Sequence, residues 1–297
     1  MMKKFFGVNA LLLFLGICSA LPMRAQEPDS NYVAGPYYTR LCDVICTGNA
    51  REDIINIALS QLGYREGDGR DTEYARFIGR NGKAWCTEFA SWCVRMTGLP
   101  QYILHSSPFA NAWRFTTGTS SRIYRWSDLV YCGGDYAPRI GDILLWAWDL
   151  DERADGQPVS HTALFHFMED KGDSLIVHSL DGNSRRRVAK CIHHLRKADG
   201  TLMGREGRLY YVVSPDYDNP ALKRHWVNFD AQGGILRQKG KMVTEDGLYG
   251  PLPIPRREGY AFAGWYSQAD GGACVTLYTL VPGGGEQTLY ARWKPAL

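Results

Sequence analysis

The segment Asn81-Gly82-Lys83-Ala84-Trp85-Cys86-Thr87-Glu88-Phe89-Ala90-Ser91-Trp92-Cys93-Val94 joins a turn to an apolar periodicity. Asn-Gly is turn chemistry. Cys86, Phe89, Ala90, Cys93 and Val94 then recur at helical spacing, and Gly98-Leu99-Pro100 ends the run. The spacing predicts a helix entered from a glycine-bearing loop, with Cys86 in its first turn. A free thiol ionises near pH ~8.5. A helix N-terminus favours the anion by about 0.3–1 kcal/mol, and an imidazolium close by would add a larger push. Cys86 is therefore placed to become a nucleophile if the fold brings it a histidine.

Upstream, Asn49 can cap a second helix, with Glu52 three residues on. Ile54, Ile55, Ala58, Leu59 and Leu62 share a face, and Gly63 stops it. Downstream, residues 143–148, 161–168, 174–179 and 209–213 are rich in β-branched and aromatic residues and read as strands. Helices first and strands afterwards predict an α+β domain with a mainly antiparallel sheet. Residues 26–48, with Pro28, Pro36 and two cysteines, give no firm structure.

Cysteine chemistry needs a base and a group that fixes the base. Among seven histidines, His161 begins a strand and can hold its ring over a cleft. His178 is mid-strand and reads as a satisfied core histidine. His193 and His194, beside Arg196 and Lys197, read as solvated surface. His105, His166 and His225 have no acidic or thiol neighbour in the local pattern. Asp181-Gly182-Asn183 follows the strand 174–179, so Asp181 or Asn183 can fix the imidazole tautomer.

These residues carry a resemblance. Trp85 to Cys93 resembles the cysteine motif of CHAP domains, the cysteine- and histidine-dependent amidohydrolases/peptidases. Ile57-Ala58-Leu59-Ser60-Gln61-Leu62-Gly63-Tyr64 resembles the helix preceding that motif. Pro138-Arg139-Ile140-Gly141-Asp142-Ile143 resembles the family's strand entry, Ser160-His161 its histidine motif, and Asp181-Gly182-Asn183 its Glu-Gly-Asn. The likeness runs in order over roughly residues 50–214. It implies a papain-like α+β fold with N-terminal helices packed on an antiparallel sheet. It implies Cys86 as nucleophile, His161 as general base and acid, and Asp181 as orienting group, with Asn183 as alternative or additional partner. Thr162-Ala163 stands where Val-Gly is common, and Asp181 is one methylene shorter than glutamate. No cofactor and no metal is required. Residues 68–73 could form a calcium loop of the kind some CHAP enzymes carry, but read more simply as a solvated acidic turn.

After the breakers Asp216-Tyr217-Asp218-Asn219-Pro220 the chain changes character. Val227-Asn228-Phe229-Asp230-Ala231-Gln232-Gly233-Gly234, Gly259 to Tyr266 and Thr288 to Trp293 resemble the Listeria–Bacteroides repeat, related to the internalin B-repeat, of bacterial surface proteins. That resemblance implies a small β-rich, β-grasp-like module serving either cell-surface contact or spacing. Trp265, Tyr266 and Trp293 read equally as its core.

Lys3 and Lys4 followed by an apolar stretch too short to span a bilayer read as a secretory signal cleaved after Ala25 or Ala20. Losing Cys18 leaves seven cysteines, an odd number that permits a free reactive thiol. Cys42 and Cys46 are close enough to close a small loop. The layout expected is a signal at 1–25, a lead-in at 26–48, the CHAP-like domain at 49–215, a linker at 216–225 and the repeat-like module at 226–294. A formal charge of +3 is too mild to indicate nucleic acid, and no later segment could span a membrane. The expected protein is a secreted cysteine amidohydrolase or peptidase, periplasmic, cell-surface or extracellular. Its expected substrate is bacterial peptidoglycan, cut as an N-acetylmuramoyl-L-alanine amidase or a stem or cross-bridge endopeptidase. The alternatives are an adhesin with an inactive CHAP-like domain and an amidase for another substrate. The loops at 102–119 and 149–158 are expected to set specificity.

Overall fold

A computed structural model describes residues 27–148 and 159–296. The expected signal segment and the 149–158 loop lie outside the described residues.

The helix expected from Asn49 is α3 (Ala50–Ser60). Its cap works as read, since the Asn49 side chain accepts from the Arg51 N–H and donates to Glu52. The residues before it, which gave no firm structure, form α1 (Ser30–Val33) and α2 (Pro36–Cys42). These helices are too short for periodicity to reveal, and tertiary contacts hold them. Tyr32 and Leu41 are buried, and the Tyr32 hydroxyl donates to Gln61, which also takes the Tyr74 hydroxyl. After α4 (Glu73–Ile78) comes α5 (Cys86–Met96), and after it α6 (Ala112–Thr116).

Six strands form one wholly antiparallel sheet: β1 (Arg122–Arg125), β2 (Ile143–Ala147), β3 (His161–Asp170), β4 (Ser174–Ser184), β5 (Arg187–Arg196) and β6 (Arg208–Ser214). Their order is β1-β6-β2-β3-β4-β5. Period-two alternation sorts β2 between two cores. Ile143 and Leu145 join Ile54, Ile57, Phe89 and Trp92 beneath the helices. Leu144 and Trp146 join Leu129, Val177, Leu195 and Leu209 on the other face. Arg51 on α3 pins the entry to β2. It donates to Asp142 at 2.9 Å, and Asp142 also takes the Tyr136 hydroxyl.

Two strands escape the sequence reading. β1 lies in a stretch of low regularity. β5 reads as solvated because its outward residues, Lys190, Ile192, His194 and Arg196, are exposed. Its inward set (Ala189, Cys191, His193 and Leu195) faces the protein. His193 is therefore buried rather than surface, a correction whose cause is strand alternation. The β4–β5 turn places Arg185 and Arg186 at φ 50° and 64°, the backbone of a two-residue hairpin more usually built from Asn-Gly. Arg186 bonds Glu66, which also accepts from the Trp85 indole, so the hairpin is tied to the segment leading into Cys86.

The C-terminal part has its own five-stranded sheet: β7 (Arg224–Asp230), β8 (Gly240–Thr244), β9 (Tyr260–Tyr266), β10 (Cys274–Val275) and β11 (Gln287–Pro295). Their order is β10-β9-β11-β7-β8, with one parallel pair, β11 with β7. Val227, Phe229, Val243, Leu252, Trp265 and Leu289 form its core. The module packs on the helical domain through Tyr278. The Tyr278 hydroxyl donates to Glu73 at 2.6 Å and accepts from the Trp92 indole at 2.9 Å, and its ring lies against Phe77. Tyr278→Phe should cost about 1–3 kcal/mol in denaturant unfolding, because it orphans a buried carboxylate oxygen and an indole N–H. An unchanged midpoint would show that this contact does not hold the two parts together.

No disulfide joins the described cysteines, all seven of which are free thiols, Cys42 and Cys46 included. No helix among the described residues is long and apolar enough to cross a membrane.

Candidate active site

Cys86 is the first residue of α5. The first intrahelical bond of this helix is donated by Phe89 to the Trp85 carbonyl, so helix geometry leaves the Cys86 N–H without an intrahelical acceptor. Two contacts fix α5 against the sheet, and a third fixes the residue before it. The Thr87 hydroxyl meets the Thr162 hydroxyl at 2.9 Å, coupling the cysteine helix to the histidine strand. Thr162, where valine is common, thus has a bonding role here. Phe89 packs over Gly182, where an added Cβ would stand 2.5 Å from the Phe89 Cβ. The Trp85 indole is held by Glu66.

His161 opens β3 and Asp181 lies on β4, which continues past the end read from the sequence and carries Asp181-Gly182-Asn183 in the strand. The pairing places Asp181 opposite Ala163, two residues beyond His161, so both side chains emerge on one face. His161 Nε2 meets Asp181 Oδ2 at 2.7 Å, and Asp181 Oδ1 accepts from the Ser179 hydroxyl at 2.6 Å. With Nε2 engaged, Nδ1 is the nitrogen left for Cys86. The shorter aspartate reaches the imidazole directly.

Electrostatics make these residues one unit. Burial by itself pushes the Cys86 thiol up, but the His161 charge and hydrogen bond, with the Thr162 N–H and Thr87, outweigh it and hold the thiol below its ordinary value. Burial pulls His161 down, yet Cys86 and Asp181 together raise it to about 10. Asp181 resists the upward push of its burial through His161 and Ser179 and stays below the usual carboxylate range. The arrangement favours a thiolate–imidazolium pair backed by a carboxylate.

Asn183 adopts φ 57° at a register shift in β4 and lines a cleft together with His161 and Asp181. Among the described residues no hydrogen bond joins its side chain to His161. His178 bonds Glu169 at 2.8 Å and stacks on Phe167, away from this set. In the 68–73 stretch, read as a solvated acidic turn rather than a calcium loop, Asp71 pairs with Arg76 and Asn81, and Glu73 with Tyr278.

His193 is the neighbour the sequence reading missed. It is 7% exposed, its ring lies 4.5 Å from that of Trp146, and its Nε2 stands 4.0 Å from Asp181 Oδ2. Arg205 donates to its Nδ1 at 3.2 Å, which places the neutral ring's proton on Nε2, facing Asp181. Burial, aided by Arg205, holds His193 down at about 4 and hence neutral. The signal available was the alternation Ala189, Cys191, His193, Leu195. The cleft lined by His161, Asp181, Asn183 and His193 measures about 580 Å³, with Arg185, Arg187, Lys190 and Arg205 around it.

The stretch that carries this helix-borne cysteine, strand-borne histidine and acid on the next strand is matched in a comparison with known families. The family model described as the CHAP domain covers residues 78–183. The chain carries a CHAP domain. A second model, the Listeria-Bacteroides repeat domain, matches residues 225–292, the five-stranded module. A comparison with curated proteins gave no match. CHAP domains are in general cysteine-dependent hydrolases, and Cys86, His161 and Asp181 all fall within the matched span.

The packing of Phe89 on Gly182 gives a test of how the CHAP domain holds its site. Gly182→Ala should destabilise by about 1–3 kcal/mol by overpacking and should lower activity by widening the gap between α5 and β4. Equal stability and turnover in the variant would show that this close approach is not what sets the geometry.

Proposed function

We propose that the protein is a secreted, papain-like cysteine amidohydrolase or peptidase whose CHAP domain cleaves amide bonds of bacterial peptidoglycan. The observation that carries this reading is the His161–Asp181 bond at 2.7 Å beside a thiol held below its ordinary value. Cys86 Sγ attacks the carbonyl carbon, and the displaced electron pair moves to the oxygen. The Cys86 N–H at the start of α5 is placed to donate to that oxyanion. As the intermediate collapses, His161 gives its proton to the leaving amine and a thioester remains. His161 then takes a proton from water, hydroxide attacks the thioester, and the acid and the Cys86 thiolate are released. Asp181 holds the imidazole in register and supports its charge throughout.

The substrate class follows from the cleft and the company it keeps. Exposed Arg185, Arg187, Lys190 and Arg205 suit a ligand rich in free carboxylates, as wall stem peptides are. A module matched by a repeat of surface proteins favours a wall substrate over a soluble one, and we read it as a small β-grasp-like element that makes cell-surface contact. The assembled set of Cys86, His161 and Asp181 speaks against an inactive adhesin.

Digestion of purified peptidoglycan by the mature protein and by Cys86→Ala, read by mass spectrometry, tests the proposal. New amine ends that require Cys86 would support it and would separate amidase from endopeptidase. Several wall chemotypes left intact under reducing conditions, with calcium present, would redirect it to another amide substrate.

A further inference from the structure

β5 sends Cys191 and His193 to one face, two residues apart, alongside Asp181 of β4. One ligand atom from each of Asp181, Cys191 and His193 lies within 4.8 Å of the others. Carboxylate, thiolate and imidazole are the ligand types of zinc-like ions, and bonds of about 2.0–2.3 Å put tetrahedral ligands roughly 3.3–3.8 Å apart. The Asp181 Oδ2 to His193 Nε2 separation of 4.0 Å is close to that already, and the other pairs, all within 4.8 Å, need to close by at most roughly 1.5 Å. An independent observation points to a ligand here. His193 is more than nine-tenths buried, and its Nε2, aimed at Asp181, has no hydrogen-bond partner among the described residues. Buried polar nitrogens are rarely left so. All three residues line the cleft, which supplies an entry path and room for a water in the fourth position.

We propose that Asp181, Cys191 and His193 form a binding site for a zinc-like divalent cation, and that its occupation switches the catalytic set off. Binding at Nε2 moves the His193 proton to Nδ1, so Arg205 must release that nitrogen, which its exposed place on the cleft rim permits. Cys191 loses its proton to solvent as the sulfur–metal bond forms. The ion engages the Asp181 oxygen that holds His161 and sets positive charge beside the imidazolium. His161 then loses its counter-charge and Cys86 its proton-holding partner. The site stands independently of the hydrolase reading, whereas the inhibition rests on it.

The experiment uses the Cys86→Ala protein, so that the catalytic thiol cannot bind the probe, and titrates it with Co²⁺. One ion per chain with a thiolate-to-cobalt charge-transfer band is expected. Cys86→Ala/Cys191→Ala should lose the band, and Cys86→Ala/His193→Ala should bind at least about tenfold more weakly, with circular dichroism unchanged in both. No band in the Cys86→Ala protein, or a band that survives loss of Cys191, overturns the site. In the unmutated protein Zn²⁺ should inhibit hydrolysis over the range in which it competes with Co²⁺, and a chelator should reverse it. Cobalt binding as expected without inhibition overturns the switch and leaves the site. Binding as expected by a protein that never hydrolyses an amide overturns the hydrolase reading and the switch that rests on it, and leaves the site.

Discussion

Cys86→Ala should abolish amide hydrolysis, by about 10⁴-fold or more, while leaving the fold and thermal midpoint nearly unchanged. The first half follows from the division of roles. His161 and Asp181 move and support a proton, but neither can form the thioester, so no residual covalent route remains. The second half follows from what the substitution leaves behind. Cys86 is small and 6% exposed, and alanine is a strong helix former at the start of α5. Removing the sulfur frees His161 Nδ1, but Nε2 keeps Asp181 at 2.7 Å. The contacts that fix the helix start belong to Thr87, Phe89 and Trp85 rather than to the thiol. Stability should therefore fall by no more than about 1 kcal/mol. Substrate turnover and thermal unfolding measured on the same preparation check both halves. Turnover within tenfold of the parent would remove Cys86 as nucleophile. Lost turnover with a collapsed midpoint would make the cysteine structural.

The parts of this architecture legible in the sequence are those where local and tertiary preferences agree. Asn49, Glu52 and the Ile54–Ile55–Ala58 face specify α3 locally, and the sheet only accepts what is already preferred. α5 is equally plain, since its apolar spacing and its glycine-bearing entry mark one helix start. The pair His161 and Asp181 came from a strand start and a strand exit, and the register of β3 with β4 turns that reading into a contact. β5 was hidden for the opposite reason. It is a strand next to a site, so its inward positions carry Cys191 and His193 where a core strand would carry valine or isoleucine, and its charged outward face reads as solvent. The short helices α1 and α2 have no periodicity long enough to see. They exist because Tyr32 and Leu41 find a core and Gln61 accepts a buried hydroxyl. Asn183 is a different case. The motif places it beside Asp181, but strand alternation puts neighbours two apart on a shared face only when the register is regular, and the register shifts between Asp181 and Ser184.

Asp181→Asn is the sharper test of mechanism because it changes charge with almost no change in shape. Asparagine can still bond one imidazole nitrogen, but it supplies no negative charge and can fix the wrong tautomer, so kcat should fall by about 10²–10⁴-fold. The pH profile should change as well, and its direction is set by the shifts. With Asp181 present, His161 is held up to about 10 and Cys86 below its ordinary value. The active pair therefore exists above the Cys86 ionisation and is lost as pH rises through that of His161. Without the carboxylate the imidazolium is less favoured, so the alkaline limb moves to lower pH. His161 is still protonated where Cys86 ionises, so the thiolate keeps its counter-charge, the acid limb does not move to higher pH, and the bell narrows from the alkaline side. The two limbs belong to the Cys86–His161 pair jointly, so kcat/KM across the full range is the quantity to follow. Gly182→Ala offers the comparison, since it disturbs spacing and leaves every charge in place: its rate should drop over a profile that shifts less than that of Asp181→Asn. A profile in Asp181→Asn of unchanged width would mean that the carboxylate only positions His161, and that the thiolate is held by the Thr162 N–H and the helix start instead.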